Sequence, residues 1–336
     1  MFDVFIDQFW QLTVSGLALG FIYVLIALGY TMVYGVLRMI NFANSEIFMW
    51  GTFGAIVASR DLFKYTQTSD PVSGPKLALV LVVQLFVAMA FAGLVAVLVE
   101  FVAYRRLRAR GTNRLATLIS AIGMSIVLSE VMRLLTASRP VGSPRILEKV
   151  ILTEIWGAQI RLDTLITILA AGAIFIILER FVKLSRMGKA IRAVSMNEDA
   201  AKLMGINLNR VITVTFLVGG LATGAAAFFY VTVYEYTKFN IGFTMGLAAF
   251  TAAVLGGIGN IRGAFFGGIA LGLSEVYAAA ILGTQWKSVT IFIILVLVLL
   301  FKLFQFGFVA LSIFHFFHGL FGHFNTITNG RSTTRN

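Results

Sequence analysis

Long apolar runs separated by short polar gaps fill almost the whole chain. Runs near the length that a hydrocarbon core demands, about 20 residues per helix, fall at 9–36, 40–59, 77–100, 115–136, 163–182, 211–233, 242–258, 264–282 and 289–308. Backbone polar groups in lipid must be satisfied within helices or closed barrels. The pattern therefore predicts an all-α integral membrane protein, a polytopic helical bundle of about eight to nine transmembrane segments. Two runs are irregular: 40–59 opens with Asn41, Asn44 and Glu46, and 242–258 is bounded by glycines. Either is expected to be broken or re-entrant rather than a full crossing. The gaps leave no room for a separate soluble domain, so 1–308 reads as one transmembrane domain and 309–336 as an aromatic and basic tail.

Composition agrees, with 59% hydrophobic and only 12% charged residues. The net charge of +12 does not point to nucleic acid, because basic residues of a membrane protein mark its cytoplasmic loops. Arg105, Arg106, Arg108, Arg110 and Arg114 crowd one loop, and Lys183, Arg186, Lys189, Arg192, Lys202 and Arg210 another. Setting both inside leaves the acidic N-terminus (Asp3, Asp7) and the loops 60–76, 139–161 and 234–240 outside, with Arg331 and Arg335 of the C-terminus inside. The opening MFDVFIDQFW has no basic leader, so the first run is expected to be retained. The chain has no cysteine and hence no disulfide or thiolate chemistry.

Polar residues inside the apolar runs are the candidates for function. Thr13, Gly16, Gly20, Tyr23, Ala27, Tyr30 and Tyr34 recur at spacings of three and four and share one helix face. That face suits a pathway lined by Tyr23, Tyr30 and Tyr34 or, equally, close packing through its small residues with tyrosines at interfacial depth. Arg38, Asn41, Asn44, Ser45 and Glu46 follow at once. A charge at bilayer depth costs at least about 2.5 kcal/mol on insertion scales, which favours a translocation path or gate over a headgroup position. The stretch AVLGGIGNIRGAFFGG places Gly256, Gly257 and Gly259 beside Asn260 and Arg262, suiting a turn between helix halves or a close crossing. Glu275 lies inside the eighth run and needs a partner, more readily another helix than a substrate.

The segment 184–209 is different: it is polar, charged and alanine-rich. Asn197 can cap a short helix, Glu198 and Asp199 suit its positive N-terminus, and Gly205 can end it. Such a segment reads as a docking element on the aqueous side. No HExxH, GxSxG or paired-carboxylate arrangement appears, and GGIGNIRG lacks the GxxxxGK[ST] phosphate-loop pattern. His315, His318 and His323 sit in the aromatic tail, where an interfacial role outweighs metal binding. The chain is expected to be no enzyme, with no metal and no cofactor of its own.

The blocks YVLIALGYTMVYGVLRMINFANSEIFMWGTFGA, LATLISAIGMSI, SRMGKAIRAVSMNEDAAKLMGINLNRVITVTFLVGG and FTAAVLGGIGNIRGAFFGGIALGLSE resemble the permease family of branched-chain (hydrophobic, neutral) amino-acid ABC transporters. The likeness is to the smaller-permease type of the high-affinity leucine/isoleucine/valine system. The resemblance runs from about Gly16 to about Leu300 and departs at Arg105-Arg106-Leu107-Arg108, where the family has a proline, and again after Phe301. It implies an importer in a bacterial inner membrane. Arg192, Glu198, Asp199, Ala200, Ala201, Gly205, Ile206 and Asn207 would form the cytoplasmic coupling helix against an ATPase subunit. Tyr23, Tyr30, Tyr34, Asn41, Asn44, Glu46, Gly256, Gly257, Gly259 and Glu275 would belong to the translocation pathway. The implied partners are a second homologous permease, two ATPases carrying ATP and Mg, and an external solute-binding protein. A urea or short-chain amide permease, an ion-coupled secondary transporter using Glu46 or Glu275, and a passive channel are the alternatives.

Overall fold

A computed structural model describes residues 8–301 except 67, 68, 73, 112, 113 and 156. The tail 309–336 with its histidines, and Asp3 and Asp7, lie outside the described residues. The chain is almost wholly helical. In order come α1 (Phe9–Leu37), α2 (Asn44–Val57), α3 (Pro75–Ala109), α4 (Arg114–Leu135), α5 (Leu162–Leu184), α6 (Arg186–Met196), α7 (Glu198–Leu203), α8 (Leu208–Tyr234), α9 (Ile241–Gly256), α10 (Ile261–Leu282) and α11 (Thr284–Phe301). Among the described residues, α1, α3, α4, α5, α8, α10 and α11 are the 7 helices long and apolar enough to cross a membrane. Helices up to Ile291 form one compact unit; residues 292–301 continue α11 and belong to a second.

The runs at 40–59 and 242–258 hold the helices that are not full apolar crossings. α2 has 14 α-helical residues and continues through a π-helical turn, Ala58–Leu62, that carries Arg60 and Asp61, whereas α9 has 16 residues, about 24 Å at 1.5 Å per residue against about 30 Å of hydrocarbon.

α1 and α8 are the most buried of the long helices and form the centre. They meet where small residues allow backbones to touch: a Cβ on Gly219 would stand 3.3 Å from the carbonyl oxygen of Gly29. α10 lies antiparallel on the other side of α1, with Thr13 beside Tyr277, Gly16 beside Leu273 and Gly268 beside Val24. α3 fits against α8, with Gly220 and Gly224 admitting Ala92, Ala96 and the Ala88 carbonyl. The outer surfaces of α3, α4 and α5 expose Leu94, Ile119, Leu134 and Ile177, as helices that face lipid must.

Two ends of the bundle follow from these contacts. At one end lie the starts of α1, α3 and α5 and the ends of α4, α8 and α10. Here β1 (Val141–Gly142) pairs with β4 (Tyr236–Thr237), and a hairpin joins β2 (Ile151–Ile155) to β3 (Ala158–Arg161). At the other end lie the close of α1, the basic end of α3, and α6 and α7. The segments 139–161 and 234–240 thus share one end, and the two arginine- and lysine-rich loops share the opposite one.

α1–α2 and α8–α9 are the same device run in opposite directions. α1 ends on Arg38 and α8 on Glu235, both in the left-handed conformation (φ 51° and 61°) with their amides returned to Tyr34 and Val231. In each case the chain then turns back into the interior and starts a shorter helix. Asn44 at the head of α2 donates to the carbonyl of Ile26, past the middle of α1. The first turn of α9 meets that of α2: a Cβ on Gly242 would stand 2.5 Å from the Ser45 carbonyl oxygen. The two short helices therefore oppose their N-termini inside the bundle.

Candidate functional site

The polar segment after α5 is built from a succession of caps. Ser185 Oγ accepts from the amide of Gly188 (2.8 Å) and starts α6, while Gly188 lets α6 lie against the last carbonyls of α5. Arg192 fastens that junction by donating to the carbonyls of Val182 (2.6 Å) and Lys183 (3.0 Å). Asn197 ends α6 and caps α7, its Oδ1 accepting from the amides of Asp199 and Ala200 at 3.0 Å each. Glu198 and Asp199 sit in the first turn of α7, where the helix dipole favours negative charge. Both pair with Lys202, and the Asp199 and Glu198 carboxylates hold its ammonium pKa above the usual lysine value. Ala201 is buried and its carbonyl accepts from Ile206. Gly205 closes the turn at φ +78°, and Asn207 Oδ1 accepts from the amide of Arg210 to start α8. Ala200 stands exposed on the same helix.

This unit also carries what sequence reasoning passed over. Met196, Leu203 and Met204 are 79%, 89% and 82% exposed, an apolar knob amid charges. The signal was present in the sequence as AKLMG, three large apolar or long residues where the caps demand only a short helix.

The pathway residues fall into separate groups. On α1, the stripe is first a packing face: Gly16 and Gly20 touch Gly268, Ile269, Gly272 and Leu273 of α10, and Thr13 shares a hydrogen bond with Tyr277. Tyr23, 1% exposed, donates to Glu275 Oε2 at 2.6 Å, so the intramembrane carboxylate has its partner on a neighbouring helix. Tyr30 is buried beside Gly246, and Tyr34 lies half-buried by Gly259.

The second group lies at the head of α2. Asn41 Oδ1 accepts from Tyr104 (3.1 Å) and from the amide of Ala43 (3.2 Å). Asn44 accepts from the Thr223 hydroxyl (3.4 Å) as well as donating to Ile26. Glu46 is 3% exposed, with Ser45 Oγ 3.5 Å from its Oε1 and Gly242 leaving space for its Oε2. Among the described residues, Thr31 Oγ1, Asn41 Nδ2, Glu46 Oε2 and Arg108 Nη1 are the buried side-chain atoms without a protein hydrogen-bond partner. Three of these belong to α1, the break after it and α2. Tyr104 and Thr223 were not picked out from the sequence: Tyr104 falls between the run 77–100 and the arginines that follow it, and Thr223 is one of several hydroxyls in the run 211–233.

The third group is the glycine turn. Gly256 and Gly263 touch backbone to backbone, Gly257 and Gly259 take φ of +88° and +93°, and Asn260 Oδ1 caps α10 through the amide of Arg262. The turn sits at the end of the bundle where α6 lies. There it borders a cavity of about 360 Å³ lined also by Thr31, Met32, Glu179, Ile191 and Arg192. The structure thus joins Asn41, Asn44, Glu46 and Tyr30 in one cluster and leaves Tyr23–Glu275 and the glycine turn as separate ones. No cluster of three or more His, Cys, Asp or Glu side chains suited to a metal occurs among the described residues.

Known proteins share this sequence over most of its length. Residues 12–299 match the family described as branched-chain amino acid transport system / permease component. The chain is 38% identical over 306 residues to the high-affinity branched-chain amino acid transport system permease protein BraD of Pseudomonas aeruginosa, covering 88% of this chain and 95% of that one. It is 39% identical over 301 residues to LivH of Escherichia coli K12, with 87% and 93% covered. A more distant relative is the probable permease LivH of Methanocaldococcus jannaschii, 24% identical over 273 residues. A match over nearly the whole membrane bundle, at this identity, means that the chain belongs to the branched-chain amino acid transport permease family.

Proposed function

We propose that the chain is one permease subunit of an ATP-driven importer of branched-chain amino acids in a bacterial inner membrane. It forms half of the translocation pathway, and ATP and Mg are bound by two cytoplasmic ATPases rather than by this chain. A second homologous permease completes the pathway and an external solute-binding protein delivers the substrate. The end bearing α6 and α7 is cytoplasmic, in keeping with its arginines and lysines, which puts the N-terminus outside and the C-terminus inside. Among the described residues seven helices cross in full, and α2 and α9, each entered through a break inside the bundle, carry the chain back across in two further, interrupted crossings. Residues 1–308 act as the permease domain, with 309–336 a tail outside it.

The observation that carries this reading is α7. Its tip offers Leu203 and Met204 to water, flanked by Met196, with Glu198 and Asp199 alongside. A short capped helix ending in exposed apolar side chains suits a groove of an ATPase; a solvated connector gains nothing from them. Arg192, Ala200, Ala201, Gly205, Ile206 and Asn207 hold that helix in position. Tyr30, Asn41, Asn44 and Glu46 line the pathway at the opposed half-helices, and Tyr34, Gly256, Gly257 and Gly259 lie near its cytoplasmic mouth.

The test is co-purification of the ATPases with wild-type chain and with a Glu198→Arg/Asp199→Arg variant from the same membrane, alongside leucine uptake. The expected result is loss of the ATPases and of uptake with normal membrane insertion. Full retention of both by the variant would refute the docking role of α7.

A further inference from the structure

Each helix break is tied to the aqueous segment on its own side by the charged residue that makes the break. At the close of α1, the Arg38 guanidinium donates to the carbonyls of Ser195 and Met196, 3.1 Å each. These are last-turn carbonyls of α6, which have no acceptor role within the helix and favour a cation. The next residue, Asn197, caps α7. At the close of α8, the Glu235 carboxylate pairs with Arg145 (3.3 Å) and Lys149 (3.0 Å), while its carbonyl accepts from the amide of Ser143 (2.7 Å). Both residues are left-handed although neither is glycine. Side-chain-bearing residues enter that region reluctantly, and such strain is kept where the surroundings use it.

From each tie the chain runs directly into the contact between half-helices. Arg38 leads through Asn41 and Asn44, both 1% exposed, to Ser45 and Glu46. Glu235 leads through Thr237, whose hydroxyl shares a 2.6 Å hydrogen bond with Thr52 of α2, to Gly242 and Gly246. A displacement of α6 and α7 pulls on the α1–α2 break; a displacement of the 139–161 segment pulls on the α8–α9 break. Both act on one interior joint, where Gly242 and Gly246 leave no slack against Ser45.

We infer that Arg38 and Glu235 are paired positioning residues, Arg38 relaying motion of the ATPase-docking segment and Glu235 relaying contact of an external binding protein to the joint of α2 and α9. This rests on the docking role proposed for α7. Both bonds leave one guanidinium nitrogen, Nη2, whose hydrogens the planar group holds in fixed directions, which the freely rotating ammonium of a lysine does less well.

The chain has no cysteine, so single nitroxide labels can be placed in the assembled transporter in lipid nanodiscs. One label pair, Phe42→Cys with Ile119→Cys, reports the α1–α2 break against the lipid-facing side of α4. A second, Lys189→Cys with Ile119→Cys, reports the docking segment from the exposed side of α6. In wild type, a non-hydrolysable ATP analogue with Mg should shift both distances. In Arg38→Ala the Lys189 distance should still shift while the Phe42 distance stays at its nucleotide-free value. Leucine uptake per ATP hydrolysed should then fall about ten-fold, within the roughly 5–150-fold range of ordinary couplings, with Arg38→Lys intermediate and ATPase retention unchanged. Glu235→Gln should abolish the stimulation of ATP hydrolysis by leucine-loaded binding protein and leave basal hydrolysis intact. A Phe42 distance that shifts equally in Arg38→Ala overturns the relay alone, as does unchanged stimulation in Glu235→Gln. A Lys189 distance that stays fixed in wild type overturns the docking role of α7 and the relay with it.

Discussion

Replacing Gly272 by alanine and Tyr23 by phenylalanine perturbs the same helix pair in two ways whose magnitudes separate packing from hydrogen bonding. A Cβ on Gly272 would run into the backbone nitrogen and Cα of Gly20 and the carbonyl oxygen of Gly16. None of these atoms can rotate aside, so α1 and α10 must part along the stripe that joins them. Overpacking costs about 1–3 kcal/mol, and backbone obstacles put this substitution at the upper end, about 3 kcal/mol. Tyr23→Phe removes one 2.6 Å hydrogen bond and leaves Glu275 without it. Interhelical hydrogen bonds in membranes average about 0.6 and reach about 1.7 kcal/mol, so about 1 kcal/mol is expected. Gly35→Ala is the control: nothing stands within 4 Å of the added Cβ, and the helix should gain up to about 1 kcal/mol in propensity. Equilibrium unfolding by SDS in mixed micelles, followed by circular dichroism, measures all three. The expected order of stability is Gly35→Ala at or above wild type, then Tyr23→Phe, then Gly272→Ala. A Tyr23→Phe variant as unstable as Gly272→Ala would show that the polar pair, not the glycine contact, holds these helices together.

Two further pairs of substitutions test the elements around α6 and α7. Asn197→Ala removes an oxygen that serves the amides of Asp199 and Ala200 and should weaken α7 by about 1 kcal/mol, while Gly205→Val forces a branched side chain to φ +78° for about 1–2 kcal/mol more; hydrogen exchange at 198–204 should accelerate in both, and unchanged protection would refute the capping account. Glu100 is fully buried, accepting from Arg108 and Thr213 at 3.1 Å each while Arg108 also reaches Asn209. Glu100→Ala leaves a cation unpaired and should cost about 3 kcal/mol, with the second change, Arg108→Ala, recovering part of the loss in a double-mutant cycle; strict additivity would mean the pair does not couple.

Apolar run length made the crossings legible, and cap chemistry did the same for α7, where Asn197 and Gly205 are residues that start and stop helices wherever they occur. The breaks were less legible. A helix that ends in the left-handed region is normally announced by glycine, but here Arg38 and Glu235 take that place: Arg38 draws notice only as part of a polar path or gate, Glu235 not at all, and neither signals a helix end. Glu100 and Tyr104 sit at the end of an apolar run and read as headgroup residues; their burial arises because α3 continues through a π-helical turn, Glu100–Arg105, which turns them inward and which no residue pattern announces. The first-helix stripe illustrates the remaining limit. Its period correctly put Thr13, Gly16, Gly20 and Tyr23 on one face, yet packing and pathway demand the same period, and only the position of α10 separates them.

The polar joint between α2 and α9 explains why the bundle tolerates short helices at its centre. A half-helix ending in hydrocarbon would leave its first amides unsatisfied, each costing several kcal/mol. Opposing the N-termini of two half-helices gathers both sets of amides at one place, beside Asn41, Asn44 and Glu46, and shields them from lipid with α1, α4 and α8. The side-chain groups there that find no protein partner, Thr31 Oγ1, Asn41 Nδ2 and Glu46 Oε2, are groups that water or a polar solute must serve. Thr31 borders the cavity of about 360 Å³, and Glu46 lies at the joint beside Gly242. An unbroken helix would have satisfied its own backbone and offered a zwitterion nothing. A broken pair presents an interior of amides and side-chain oxygens, packed closely where Gly242 and Gly246 meet Ser45.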